Sequence, residues 1–139
     1  MYTVKEVADK MNISEHTIRF WAKSGFFPFI KRSETNIRLF DDHDLEWVKI
    51  VKCLRVAGVE NKEIKRYIDL CLIGDSTVPE RYSIIQKTKE KTKEHIKELT
   101  EQISLLEYKE AFYKNIMENN LKDSWNPINN ITIEEKINL

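Results

Sequence analysis

The longest regular feature of the sequence runs from Pro79 to about Asn119, where no residue interrupts a helix. At ~1.5 Å per residue this helix would be roughly 60 Å long, which is too long for the core of so small a domain. Apolar residues recur along it at spacings of three and four, the pattern of a coiled-coil seam. The predicted seam consists of Ile85, Ile96, Leu99, Ile103, Leu106, Tyr113 and Met117, with Thr92 in phase and Glu110 as an interruption.

A helix with one narrow apolar stripe has to bury that stripe against a partner. The partner is either a second copy of the chain or another protein, and a stripe this narrow favours a coiled coil with its twin. A solvated single helix is the remaining alternative. We therefore predict a dimerisation helix over residues 75–119, preceded by a head at residues 1–74 and followed by a short tail at residues 120–139.

The composition narrows the class of protein. The formal net charge is +0, with 23 basic and 23 acidic residues, which argues against a broad polyanion-binding surface but allows a local basic patch. Only 3 glycines and 3 prolines are present, which favours a mainly α fold. No apolar run is long enough to span a bilayer, and the first residues lack the apolar core of a signal peptide. We expect a cytoplasmic protein with no membrane partner.

The reactive side chains do not form a catalytic or metal-binding pattern. Cys53 and Cys71 each lie within an apolar helical pattern, so we expect buried, reduced thiols rather than metal ligands. We find no nucleophile–base pairing, no glycine-rich loop for a phosphate and no cluster of ligand residues. The sequence therefore predicts no enzyme activity and no cofactor.

Within the head, the stretch from Ile13 to Gly25 reads as a short helix with its own start and stop. Ser14 is a preferred N-cap, and Gly25 can adopt the left-handed conformation that ends a helix. Ile18 lies on an apolar side, whereas Arg19 and Lys23 lie four residues apart on the other. A groove-reading helix and an ordinary surface helix are equally compatible with this stretch alone.

The flanking sequence favours the groove-reading helix. Thr3 and Glu6 form a capping box that begins a preceding helix, and Asn12 is a plausible stop, so the two helices make a helix-turn-helix unit. Two short strands are predicted near 29–32 and 37–40, joined by a polar turn at Asn36, because asparagine tolerates positive φ. Such a basic hairpin is a wing.

Two further helices complete the predicted head. Asp41 or Asp42 caps the first, which ends at Gly58 and carries a wide apolar face: Leu45, Val48, Ile50, Val51, Leu54 and Val56. Asn61 is predicted to cap the second, which ends at Gly74. Its apolar positions are Ile64, Tyr67, Ile68, Leu70 and Cys71.

Several spaced motifs resemble the MerR family of bacterial transcription regulators. The opening Tyr2-Thr3-Val4-Lys5-Glu6-Val7-Ala8 resembles its first helix, and Ser14 to Trp21 resembles its recognition helix, with the pattern Ser-x-x-Thr-(Ile/Leu)-Arg-aromatic-aromatic. Gly25-Phe26-Phe27-Pro28 and the stretch from Arg32 to Phe40 are similar to the segments that follow. Leu54-Arg55-Val56-Ala57-Gly58 with Ile64 resembles the second helix pair. The resemblance covers about residues 2–73, and the long helix in general character only.

The resemblance implies a homodimer joined by an antiparallel coiled coil, with two winged helix-turn-helix heads on the half-sites of a pseudo-palindromic promoter. Members of the family usually bend and untwist an operator whose spacer is too long, which makes RNA polymerase an implied partner; some members only repress. An architectural DNA-binding protein that uses the same head on a chromosome or plasmid is the alternative.

The predicted contacts to double-stranded DNA lie in the recognition helix and the wing. Cations there can neutralise phosphates, and side chains in the first turn of the helix, such as Glu15 and His16, can reach base edges. Thr17 either contacts a phosphate or takes part in the helix cap. Trp21 either contacts the DNA or packs in the core. The predicted set is Ser14, Glu15, His16, Thr17, Arg19, Phe20, Trp21, Lys23, Lys31, Arg32, Asn36, Arg38 and Phe40.

Three residues depart from the family pattern. Phe20 and Phe40 stand where tyrosine is usual, so two hydroxyl groups are missing, and Asn36 replaces a glycine whose geometry it tolerates. The effector is not evident, because no cysteine follows Cys71 and the tail is too short for a ligand domain. A site near the ends of the long helix would use Tyr108, Phe112, Tyr113 and Trp125, although such aromatic groups more often pack.

Overall fold

The protein consists of helices and one small hairpin, in a computed structural model that describes residues 1–130 and 133–138. The order of the elements is α1 (Val4–Met11), α2 (Glu15–Lys23), β1 (Lys31–Arg32), β2 (Arg38–Leu39), α3 (Asp42–Val56), α4 (Asn61–Ile73), α5 (Val78–Asn119) and α6 (Ile133–Ile137). Short 3₁₀ turns cover Asp75–Thr77 and Pro127–Asn130. The mainly α fold with a winged hairpin and a long following helix is as predicted.

The chain divides into two compact units, residues 1–92 and 93–139, and the boundary lies inside α5. The predicted boundaries at residues 74 and 119 separate a head, a dimerisation helix and a tail by their expected roles and not by compactness. That division stays a prediction. Within the described residues, none of the helices is both long enough and apolar enough to cross a membrane.

Local capping explains where the helices begin. The capping box of Thr3 and Glu6 is present at α1, and the hydroxyl of Ser14 caps α2. The start of α4 differs from the prediction. Its N-cap is Glu60, because the Ile64 N–H already donates to the Glu60 carbonyl at 3.1 Å and this makes Asn61 the first helical residue.

The core of the first unit is built from α1–α4 and the hairpin. Val48, Val51 and Leu54 of α3 are buried as predicted, whereas Val56 is 78% exposed and Cys53 is exposed. The reason is helical phase: at about 100° per residue, both lie well over a quarter turn around α3 from Val51. The prediction of a buried Cys53 thiol is therefore wrong, and Cys71 is only half-buried.

The wing is shorter than predicted and is attached to the N-terminus. Its strands pair antiparallel, with Lys31 opposite Leu39 and Arg32 opposite Arg38. Phe40 instead bridges Tyr2, exchanging two backbone hydrogen bonds of 2.6 and 2.8 Å. The hydroxyl of Tyr2 donates to Asp42 at 2.7 Å, which raises the pKa of Tyr2. These bonds hold the base of the wing against the starts of α1 and α3.

The cap of α3 gives the fold a dependence on acid pH. Asp41 accepts the Asp44 N–H at 2.8 Å, and this backbone hydrogen bond lowers the pKa of Asp41. Because the pKa of Asp41 is lower in the folded chain than in the unfolded chain, the cap stabilises the fold fully above the unfolded pKa of about 3.9. This stabilisation is lost as the pH falls through the folded pKa.

We therefore expect Asp41→Asn, which keeps an acceptor oxygen but does not titrate, to lose less stability than the wild type between about pH 5 and pH 2. Urea unfolding at a series of pH values measures this difference. Equal losses in the two proteins would contradict a titrating cap at Asp41.

Candidate nucleic-acid interface

Helix α2 is fixed to the core by one side and open on the other. Ile18 is 0% exposed and Trp21 is 6% exposed, so both anchor the helix from behind. His16, Arg19 and Lys23 are exposed on the open side. The helix therefore presents a polar, basic surface from a rigid support, as a groove-reading helix requires.

Both ends of α2 are closed by local hydrogen bonds. At the start, the Ser14 hydroxyl accepts the Thr17 N–H at 3.0 Å and donates to the Thr17 hydroxyl at 2.8 Å. At the end, Gly25 has φ +82, and Phe26 N–H donates to the Trp21 carbonyl at 3.1 Å, which is a Schellman motif. Thr17 thus takes part in the cap, which favours its capping role over a phosphate contact.

The recognition helix and the wing line one groove of about 290 Å³ on the surface. The groove brings together side chains of α2, of the wing and of the first turn of α1, which are distant from one another in the sequence. The residues that line it are Thr3, Val4, Lys5, Glu15, Arg19, Arg32, Asn36, Ile37 and Arg38. Five of the predicted contact residues therefore meet at one place, whereas Ser14, His16, Phe20, Lys23 and Lys31 are exposed outside the groove.

Three guanidinium groups give this groove its positive character. Arg19 lies 3.1 Å from Glu15 in an exposed ion pair, which is a weak interaction in water. Arg32 donates to the Asn36 carbonyl at 3.1 Å, and Asn36 adopts φ +64 at the wing turn as predicted. Arg38 is half-buried at the base of the wing. Such a set of cations beside a groove can neutralise backbone phosphates.

Two predicted contacts belong to the core and one residue was missed. Phe40 is 0% exposed, and its ring packs edge-on against that of Phe27 with 5.8 Å between the ring centres. The side chain of Phe40 is therefore unavailable to DNA, and the prediction that it contacts DNA is wrong. Trp21 is likewise a core residue, in line with the second of its two alternatives. Lys5 lines the groove although sequence reasoning passed over it. Its position shortly after the Thr3 N-cap, at the end of α1 that faces the wing, could have indicated that Lys5 lies in the groove.

The remaining predicted features lie in the long helix and the tail. All seven seam residues are exposed in the single chain, from 38% for Ile85 to 75% for Met117. The ammonium of Lys109 lies 4.4, 4.9 and 2.9 Å from the ring centres of Phe112, Tyr113 and Trp125. This aromatic group therefore packs around a lysine. Among the residues that the structure describes, no group of three or more His, Cys, Asp or Glu is placed to hold a metal.

Comparison with known proteins agrees with this geometry. Residues 2–71 match the model of the MerR HTH family regulatory proteins. An uncharacterised HTH-type transcriptional regulator of Haemophilus influenzae is 41% identical over 113 residues, which cover 81% of this chain and 84% of that protein.

Two solved structures are similar in fold. A crystal structure of HiNmlR, described as a MerR family regulator lacking the sensor domain and bound to promoter DNA, is 38% identical with a TM-score of 0.81. That match covers 86% of this chain and 95% of HiNmlR. A MerR family regulator from Bacillus thuringiensis is 28% identical with a TM-score of 0.77, covering 81% of this chain and 98% of that one. This chain therefore belongs to the MerR family of helix-turn-helix proteins and is a DNA-binding transcription regulator.

Proposed function

We propose that the chain acts as a homodimer that binds a pseudo-palindromic promoter operator, one head on each half-site, and distorts the duplex between them. The observation that carries this proposal is the groove in which Arg19 of α2 meets Arg32 and Arg38 of the wing. A helix in the major groove with cations beside it is suited to read bases and grip phosphates at one half-site.

The exposed apolar seam of α5 supports a dimer that carries two heads. Ile96, Leu99, Ile103 and Leu106 are each at least half exposed in the single chain, and they lie in a segment rich in lysine and glutamate. Burying them against a second copy removes apolar surface from water. A dimer with a two-fold axis presents the same helix twice, and this matches the symmetry of a palindrome.

Genome-wide mapping of bound DNA, followed by titration of the recovered sites, tests the proposal. We expect a small number of promoter sites that share a palindrome. Base-stacking probes placed in the spacer then report whether the duplex is distorted on binding. Many dispersed sites without a common palindrome would favour the architectural alternative and overturn this proposal.

The wing and the helix should both contribute to the salt dependence of binding. Arg19→Ala and Arg38→Ala each remove a cation proposed to release a phosphate counterion, so each should reduce the slope of log affinity against log salt by about one per head. Lys49→Ala, which removes an exposed cation from α3 outside the groove, is the matched control and should leave the slope unchanged. A wild-type slope in folded Arg38→Ala would contradict the role of the wing.

His16 is proposed to read a base edge from the first turn of α2. It is exposed, and it follows the Ser14 cap at a position from which a recognition helix contacts bases. We expect His16→Ala to change the base preferred at one symmetric pair of operator positions, at a cost of about 1–3 kcal/mol per contact. Selection from a random-sequence library measures this profile, with the exposed His43 on α3 substituted by alanine as the control. A profile identical to the wild type would make His16 a bystander.

A further inference from the structure

A second groove of the first unit lies where α3, α4 and the first turns of α5 meet. It has a volume of about 290 Å³ and shares no residue with the groove beside the recognition helix. Helix α3 contributes Trp47 and Ile50 to its walls, α4 contributes Tyr67 and Cys71, and α5 contributes Arg81. The proposed contacts to DNA use none of these side chains, so the DNA-binding function leaves this groove unexplained.

The guanidinium of Arg81 is held in place by two of its three nitrogen atoms. Its Nε donates to the Thr77 hydroxyl at 3.0 Å, and its Nη2 donates to the Gly74 carbonyl at 3.1 Å. Among the described residues, the third nitrogen, Nη1, has only the sulfur of Cys71 at 3.9 Å, which is a weak acceptor. A guanidinium carries more N–H groups than these contacts use, so Nη1 and Nη2 each keep an N–H for a ligand.

The positive charge of Arg81 has no counter-charge of its own. Across the part of the chain that the structure describes, no carboxylate forms an ion pair with it. Glu46 lines the same groove, but its carboxylate pairs with Lys49 at 3.3 Å. Arg81 is half-buried, and a cation that is partly removed from water is stabilised when an anion binds to it. The groove therefore favours an anionic ligand.

Aromatic side chains form the walls beside this cation. Trp47 packs against Phe29 with 4.9 Å between the ring centres, which restrains the indole, and Tyr67 contributes a second ring from α4. Partial burial, and after it the neighbouring Cys71, raise the pKa of Tyr67, so its phenol stays protonated and can donate a hydrogen bond. Apolar walls beside one fixed cation suit an aromatic ring that carries an acidic group.

We propose that this groove binds a small aromatic carboxylate, whose oxygens accept hydrogen bonds from Nη1 and Nη2 of Arg81 while its ring packs against Trp47 and Tyr67. The planar fork of an arginine matches the two oxygens of a carboxylate, which the point charge of a lysine does not. The bound ligand would contact α3, α4 and α5 at once, all within the first unit. The site is separate from the DNA interface, and the inference depends neither on the proposed operator nor on the proposed dimer.

The three tryptophans of the chain provide a direct test, because only Trp47 lines this groove. Trp21 is buried in the core and Trp125 is exposed in the tail, so both serve as internal controls. We expect benzoate, titrated into the ¹⁵N-labelled full chain, to move the indole N–H resonance of Trp47 and to leave the other two in place. Saturation should occur at millimolar benzoate, as expected for so small a ligand in an open groove. Trp47→Phe assigns the resonance.

Two further probes separate the contribution of the charge from that of the ring. Benzamide has the shape of benzoate without its charge, and acetate has the charge without the ring. Each should bind at least about tenfold more weakly than benzoate, because charge-assisted hydrogen bonds are stronger than neutral ones and the ring supplies the apolar contact. A benzoate titration that leaves Trp47 unmoved would overturn the site. Equal binding of benzoate and either probe would overturn the assigned ligand class.

A pair of arginine variants tests the role of the guanidinium. Arg81→Gln should weaken benzoate binding by about 10- to 100-fold. Arg66→Gln is the matched control: it removes an arginine of α4 that pairs with Glu80 and lies outside this groove, so it should bind benzoate like the wild type. Circular dichroism checks that both variants are folded, and if Arg81→Gln is not, the comparison of benzoate with benzamide on the wild type decides. Undiminished benzoate binding by folded Arg81→Gln would overturn the proposal.

Discussion

Replacing Leu99 and Leu106 with lysine is expected to convert the protein into a monomer whose head remains folded. Both side chains are exposed in the single chain, at 50% and 67%, and neither belongs to the core of the first unit. Pairing that buries such a side chain fully contributes roughly 1.5–3 kcal/mol, and a charge in the seam adds a desolvation cost. Both changes therefore act on assembly rather than on the fold of the head.

The consequence for DNA binding should be larger than the consequence for stability. A single head holds one half-site and loses the linked second contact, so affinity for a full operator should fall by about 10²–10⁴. Sedimentation counts the chains, and titrations against full and half operators measure the two affinities. Circular dichroism verifies that the helices of the head persist.

Leu105→Lys is the matched control for this experiment. Leu105 precedes Leu106 on the same helix and is similarly exposed, at 62%, but it lies outside the seam. We expect this variant to remain dimeric with unchanged operator affinity. A dimeric Leu99→Lys, Leu106→Lys variant, or a monomer that binds the full operator as tightly as the wild type, would show that the stripe is not the dimer interface.

The largest effect on stability is expected at the back of the recognition helix. Ile18 is 0% exposed and packs into the core from the side of α2 opposite to Arg19 and Lys23. Ile18→Ala removes buried methyl and methylene groups and leaves a cavity, which should cost about 2–5 kcal/mol of unfolding free energy. Because the head is small, this change is a large fraction of its total stability.

Urea unfolding measures this effect, and Phe20→Ala provides the contrast on the same helix. Phe20 is 48% exposed, so its truncation should cost markedly less than that of Ile18 although more atoms are removed. An Ile18→Ala variant no less stable than Phe20→Ala would contradict the assignment of Ile18 as the anchor of α2.

Features that depend on local chemistry could be predicted from the residues alone. The capping box of Thr3 and Glu6, the Ser14 cap and the positive φ of Asn36 each follow from a few neighbouring residues, and all were predicted correctly. The uninterrupted helix beyond Pro79 is local for the same reason, since nothing within it breaks the repeating backbone hydrogen bonds.

Which side chains are accessible, and which of them contact one another, depends on how the segments of the chain pack in three dimensions. Phe40 became a core residue because its strand end pairs with Tyr2, a residue 38 positions earlier, and its ring packs against Phe27. Arg19 and Arg38 share one groove because α2 and the wing are both fixed against the same core, and Lys5 joins them from α1. The sequence pattern alone cannot reveal such contacts, because burial and proximity depend on the packing of segments that are far apart in the chain.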